Sequence, residues 1–385
     1  MLKLKFLILA VTIFSVFSYG VFIGSQQIFP FEQLSHLKSI IFKETNNTFF
    51  EVYETHDSFL KRIDLDSKSD IEDKRNNLIE FIWNQNQLPT NNPNIVKDYN
   101  KMENFSEYNN LQNIQQFTTM MNLEESSSIR LDSPITSVSY FFKNQESNNE
   151  LIIFHQGHSE KSIHDSKKII NFFLEQNYDV IVFSMIMKNE NSQPIADIPD
   201  LGKIKLTSHN LFYLFDETSI PMKFYFEPIT FSLNYLEKLY EYKKIHLIGI
   251  SGGGWTSVIY PTLDDRISDS FSIAGALPIF LREPKMDLGD FEQNFDDFYS
   301  ILSYEEFFVT SSFESNKKLI QFFIFNDPCC FPAERYELFP YEKLINDKIN
   351  SLGGEGRFSV ILDNSTIKHE ISDFILENIM NEIKQ

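Results

Sequence analysis

The stretch 245–257, Ile-His-Leu-Ile-Gly-Ile-Ser-Gly-Gly-Gly-Trp-Thr-Ser, restricts what this chain can fold into more than any other. Ile245, Leu247, Ile248 and Ile250 read as a short, fully buried strand, and Gly249-Ile250-Ser251-Gly252-Gly253 fits the pattern G-x-S-x-G. A helix over roughly 254–263 follows. A serine lifted clear at a strained strand-to-helix bend leaves no room for β-carbons on its neighbours, and glycine tolerates that crowding. Alone, Ser-Gly-Gly-Gly is equally a flexible turn; the strand before it and the helix after it give the pattern weight.

The chain around this stretch alternates between two periods. Residues 135–142, 150–155 and 179–184 read as strands, and between the last two Ile163, Ile169, Ile170, Phe173 and Leu174 recur at helical spacing. Strand, helix, strand at this length implies a right-handed crossover and a parallel sheet. Glu227-Pro228 opens a further helix, with proline in the first turn and Ile229, Leu233, Leu236 and Tyr240 on one face. Strands at 270–274, 319–325 and 358–362 follow, and Ile371, Phe374, Ile375 and Ile379 mark a closing helix. The fold class is α/β, a mostly parallel central sheet with helices on both faces.

The amino terminus has a different character. Met1-Leu-Lys-Leu-Lys5 is basic and residues 6–23 are almost wholly apolar, long enough to cross a bilayer with Gly24 and Ser25 added. We expect residues 1–25 to form an uncleaved membrane anchor with the rest of the chain extracytoplasmic; secretion after signal cleavage is the alternative. Residues 26–126 are polar and Asn-rich, with helical spacing in Ile71, Leu78, Ile79 and Ile82, and read as a helical extension preceding a main domain at 127–385. A formal net charge of −20 argues against nucleic acid and anionic lipid as bulk partners. With only two cysteines, no disulfide framework supports the fold.

In such a sheet, chemistry belongs at the carboxyl ends of the strands. Asp327 stands just past the strand at 319–325, and His369, the last histidine, lies in the loop after 358–362. A serine hydroxyl becomes a nucleophile when an imidazole takes its proton, and the imidazole needs a carboxylate to fix its tautomer. Asp327 suits that role, and Asp363 is the rival. A developing oxyanion needs amide donors: Gly252, directly after the serine, and His158 in the turn His155-Gln156-Gly157-His158-Ser159. As metal ligands, His155 and His158 have no third ligand spaced to join them.

Together the Gln156-Gly157-His158 turn, the elbow 249–255, Asp327-Pro-Cys-Cys-Phe331 and His369 resemble the α/β-hydrolase superfamily, most closely bacterial proteins near the acetyl-ester and dienelactone hydrolases. The resemblance covers roughly residue 129 to the carboxyl terminus. It implies a serine hydrolase of esterase type with Ser251, Asp327 and His369 as triad, an oxyanion hole from the Gly252 and His158 amides, a small-molecule or acylated substrate, and no metal or organic cofactor. An acyltransferase or peptidase would use the same acyl-enzyme, and a binding protein would keep the fold without chemistry. Two departures stand out: Gln156 occupies a position where His-Gly is usual, and the stretch before 129 has no counterpart in the minimal fold.

Other features invite plainer readings. Cys329-Cys330 could form a vicinal disulfide outside the cytoplasm, two small buried apolar residues being the commoner case, and Trp255 would be core. Asp287, Asp290, Glu292, Asp296 and Asp297 miss the EF-hand spacing and read as a solvated face. His209 reads as an ordinary loop histidine. Residues 277–315 are the candidate lid, whose Phe280, Phe291, Phe295, Phe298 and Tyr299 either line a pocket or pack the lid down.

Overall fold

Strand-forming runs in this chain are apolar on both sides, so they need helices on both sides. In the computed structural model they form a nine-stranded sheet: β1 (Ile95–Asp98), β2 (Leu111–Met121), β3 (Ile135–Asn144), β4 (Glu150–His155), β5 (Asp179–Phe183), β6 (Lys244–Ile250), β7 (Ile267–Ile273), β8 (Lys318–Ile324) and β9 (Arg357–Asp363). Their spatial order is β1-β2-β3-β5-β4-β6-β7-β8-β9. Every pairing from β5 to β9 is parallel, while β1, β2 and β3 join antiparallel at one edge. The structure describes residues 54–99, 107–216, 219–283 and 287–385, with Ser15 and Tyr19. Among them no helix is long and apolar enough to cross a membrane; the expected anchor at 1–25 lies outside the described residues but for those two.

Alternation along β6 shows how the layers are made. Ile245 and Leu247 face one buried cluster, while Ile248 and Ile250 face another. The first cluster takes in α1 (Lys68–Trp83), α3 (Lys223–Leu236), α4 (Gly252–Leu263) and α5 (Glu342–Ser351). The second takes in α2 (Lys167–Leu174) and α6 (Asp373–Ile383). Each fully buried Leu or Ile contributes about 1.5–3 kcal/mol, so both faces stabilise the sheet.

Two expectations need correcting. Within the described part of the extension, 54–99 and 107–126, the chain is not helical throughout: it adds β1 and β2 to the main sheet, and β2 pairs with β3 along its whole length, placing Ile114 opposite Phe142 and Met121 opposite Ile135. Phe117, Thr119 and Met121 are buried from one face of β2 and Ile114 from the other. A threonine on the apolar face hides the period of two that would have marked this strand. The second correction concerns α3, which starts at Lys223, so Pro228 sits inside the helix instead of opening it. Buried Phe224, Tyr225 and Phe226 carry the helix back beyond the proline. A small antiparallel sheet of Arg130–Leu131, Ile195–Ile198 and Gly202–Lys205 escaped the sequence reading.

The β6–α4 junction is the tightest part of the fold. A β-carbon on Gly253 would stand 2.0 Å from the His155 carbonyl oxygen, and one on Gly249 would stand 2.0 Å from the Gly253 carbonyl oxygen. Both obstacles are backbone and cannot swing aside. Gly253→Ala is therefore expected to lose more than about 4 kcal/mol or to fail to fold. Circular dichroism and thermal melting check this, and a variant as stable as the parent chain contradicts it.

Candidate active site

Ser251 lies at this junction with φ 57° and ψ −122°, a conformation that costs a non-glycine residue about 1–3 kcal/mol. The surroundings hold it there. Its N–H donates to the Ile273 carbonyl of β7 at 2.9 Å, and its carbonyl accepts from Trp255 N–H at 2.9 Å, starting α4. A β-carbon on Gly157 would be 2.7 Å from Ser251 Cβ, so the Gln156-Gly157-His158 turn passes directly over the serine.

The imidazole of His369 and the carboxylate of Asp327 meet. His369 Nδ1 is 2.8 Å from Asp327 Oδ2, and the Asp327 side chain is fully buried. Asp327 Oδ1 accepts from the backbone N–H groups of Cys329 and Cys330 at 2.8 and 3.3 Å. With Nδ1 committed to the carboxylate, the other nitrogen carries the basic lone pair; His369 Nε2 is buried and has no hydrogen-bond partner. Asp363 is employed elsewhere: Oδ2 accepts from Ser372 Oγ at 2.6 Å and Oδ1 from Ser365 N–H at 2.7 Å. Ser372 caps α6, so Asp363 anchors a helix start. Of the two readings of the cysteines, the structure has the disulfide: Cys329 and Cys330 are bonded to one another and Cys329 is exposed. Their turn presents the two amides to Asp327.

Gln156 explains its own departure from the usual pattern. Its buried side chain donates to the Ser162 carbonyl at 2.9 Å and to Ser166 Oγ at 2.6 Å, and accepts from Ser184 Oγ at 2.6 Å. It fastens the turn to the segments beyond β4 and β5.

No protein-family model and no curated protein sequence matches this chain. Solved structures do. Methylesterase BT1017 superposes with a TM-score of 0.51 at 14% identity, over 86% of this chain and 64% of its own. Acetyl xylan esterase 1 from Thermoanaerobacterium sp. JW/SL YS485 superposes with a TM-score of 0.50 at 11% identity, over 85% of this chain and 97% of its own. This chain thus spans less than two thirds of the methylesterase. The strand order and the superpositions agree. The chain has the α/β-hydrolase fold.

On this hydrolase scaffold, residues 277–315 lie between β7 and β8. Phe291 and Phe298 are buried and Phe298 stacks on Phe226 and Phe307, so these two aromatics pack the segment down. Trp255 is core, fully buried, with Nε1 donating to Tyr299 Oη at 2.7 Å. Tyr299 Oη in turn donates to the Glu292 carbonyl at 2.9 Å.

Two further expectations are overturned here. Asp296 and Asp297 are exposed as expected of a solvated run, but Asp287 and Glu292 are fully buried. The side chain of His158 does find ligand-type neighbours: its Nε2 is 3.1 Å from His209 Nδ1, 3.2 Å from Glu292 Oε1 and 3.3 Å from Asp290 Oδ2. His155 is not among them. Burial opposes charge on His209 and on Glu292. Even so, the Glu292 carboxylate holds the His209 imidazole above its usual range, and the two histidines hold Glu292 below the usual carboxylate range. Sequence reasoning missed this group because its members are far apart in the chain; Asp290-Phe291-Glu292 alone carries no spacing that points to His158.

His155 itself is buried, and desolvation pushes its imidazole down to about 4 from 6.5. Below pH 6.5 the unfolded chain takes up a proton that the folded chain refuses until about pH 4, so stability is lost as pH falls through that window, by roughly 3 kcal/mol in total. His155→Phe, stacked on Phe183 as the imidazole is, is expected to remove this loss. Urea unfolding of both chains at pH 7 and pH 4.5 measures it; an identical acid loss in the variant contradicts the assignment.

Proposed function

We propose that this chain is a serine hydrolase that cleaves a carboxylic ester through an acyl-serine intermediate. The observation that carries the reading is His369, held by Asp327 through Nδ1 with a buried, unpartnered Nε2, in a loop at the carboxyl ends of the same parallel strands that present a serine in a strained strand-to-helix turn. That two superposed folds belong to a methylesterase and an acetyl xylan esterase supports ester cleavage as the reaction class. The substrate proposed is a small-molecule or acylated ester.

Each residue has a defined task. His369 Nε2 takes the proton of Ser251 Oγ as that oxygen attacks the ester carbonyl carbon. The tetrahedral oxyanion is held by the amides of Gly252 and His158, both of which are backbone donors fixed before the substrate arrives. Collapse breaks the bond to the alcohol oxygen, and His369 returns the proton to that leaving group. Water then attacks the acyl-serine with His369 again as base, releasing the acid and the free serine. Asp327 orients the imidazole and stabilises its charged form throughout. No step calls on a metal or organic cofactor.

Acetyl and other short-chain aryl esters provide the test. Ser251→Ala is expected to abolish turnover without loss of fold, and Asp327→Asn to reduce kcat by roughly 10³–10⁴-fold. Asp363→Asn is expected to keep kcat within a few-fold while losing about 1–3 kcal/mol of stability, because a buried acceptor for Ser372 and Ser365 changes. Turnover in Ser251→Ala, or a kcat loss at Asp363 exceeding that at Asp327, contradicts the assignment.

A further inference from the structure

Beside the elbow, four side chains from three separate segments converge on one point. His158 comes from the turn after β4, His209 from the 3-10 helix His209–Leu214, and Asp290 and Glu292 from the segment between β7 and β8. One ligand-type atom from each lies within 4.8 Å of all the others. His209 and Glu292 are fully buried, while His158 and Asp290 are partly so.

Most of the distances are close to those of a coordination shell. Four ligands at about 2.0–2.1 Å from a tetrahedral ion stand about 3.3 Å apart. Here the separations from His158 Nε2 are 3.1, 3.2 and 3.3 Å, and His209 Nδ1 is 3.0 Å from Glu292 Oε2 and 4.0 Å from Asp290 Oδ2.

The outer partners point the same way. His209 Nε2 donates to the Ile186 carbonyl at 2.8 Å, which in a neutral ring leaves the Nδ1 lone pair facing the cluster. Tyr225 Oη donates to Glu292 Oε2 at 3.1 Å, and Asn210 Nδ2 donates to Asp290 Oδ1 at 3.2 Å. A backbone carbonyl behind a histidine and donors behind the carboxylates are what orient metal ligands. Glu292 Oε1, buried and aimed at His158, accepts no hydrogen bond. Two lone pairs and two carboxylates directed at one another need a cation between them, either protons on the imidazoles or a metal ion.

We propose that His158, His209, Asp290 and Glu292 bind one divalent transition-metal ion of the zinc type. Two imidazole nitrogens and two carboxylate oxygens are a borderline donor set suited to zinc rather than to magnesium or calcium, whose preferred ligands are all oxygen. Four protein ligands fill a tetrahedral shell and leave no open position, so the ion is structural. It pins the segment 290–292 and the 3-10 helix at 209–214 to the turn that crosses Ser251. The His158 ring lies against the elbow: a β-carbon on Gly252 would be 2.6 Å from its Cε1. The ion therefore fixes the turn that carries the proposed His158 amide donor, although the site itself stands on the four side chains and does not depend on the esterase reading.

The full-length chain, stripped with a chelator and then dialysed against Zn²⁺, tests this by elemental analysis and by X-ray absorption at the zinc edge. The expected results are one zinc per chain and a shell of two imidazole nitrogens and two carboxylate oxygens at about 2.0–2.1 Å. Stripping is expected to lower Tm by about 5 °C or more. His209→Ala and Glu292→Gln should each drop below about a tenth of an equivalent, whereas Ser251→Ala should bind as the parent does. The absorption spectrum of the unmutated chain keeps the test valid if either variant fails to fold. Less than a tenth of an equivalent bound by the folded parent chain overturns the proposal and leaves a proton-bridged cluster. So does full binding by His209→Ala and Glu292→Gln, or a shell containing sulfur at about 2.3 Å, which would mean that the Cys329–Cys330 disulfide had been reduced and the ion held there with His369 instead.

Discussion

Backbone meeting backbone at the β6–α4 junction is the constraint on which the rest of this structure depends. With no β-carbon at Gly249 or Gly253, the first turn of α4 comes close enough to the end of β4 for the His155 carbonyl to occupy the space that a side chain would take. This approach packs α4 on the sheet, draws the Gln156-Gly157-His158 turn over Ser251 and leaves the serine in a conformation that an unconstrained chain would relax. The strain of about 1–3 kcal/mol is small beside the burial of Trp255, Val258 and Ile259 from the same helix. The scaffold can hold a residue where local preference would not.

The carboxyl-terminal side of the sheet shows how two similar aspartates acquire different work. Asp363 ends β9 and Asp327 stands in the turn just past its parallel neighbour β8, and both are buried. Asp327 is met by the cysteine amides and the His369 ring, Asp363 by two serines. Sequence position alone does not separate them, and the difference lies in which loop folds back over which carboxylate.

Much of the fold and the elbow, Asp327 and His369 were legible in the sequence, because buried strands and strand-to-helix bends carry local signatures: runs such as Leu151 to Phe154, and glycines where backbones touch. What was not legible depended on distant parts of the chain. The strand β2 presents Phe117 and Met121 with Thr119 between them, so its apolar face reads as mixed. Asp287 and Glu292 sit in an acidic run that is solvated by default, and only tertiary packing reveals that Glu292 is buried against two histidines and a tyrosine. The vicinal cysteines likewise gave no local sign that their amides would face Asp327. Together these cases separate what a local period can encode from what a loop closing over a site decides.

The central claim is that Ser251 is an activated nucleophile, and its most direct test is covalent capture. The full-length chain is treated with a fluorophosphonate probe and the adduct is mapped by peptide mass spectrometry. A single adduct on Ser251 Oγ, formed with His369 intact and lost in His369→Ala, is the predicted result. A folded chain that stays unlabelled, or one labelled equally well without His369, contradicts the account.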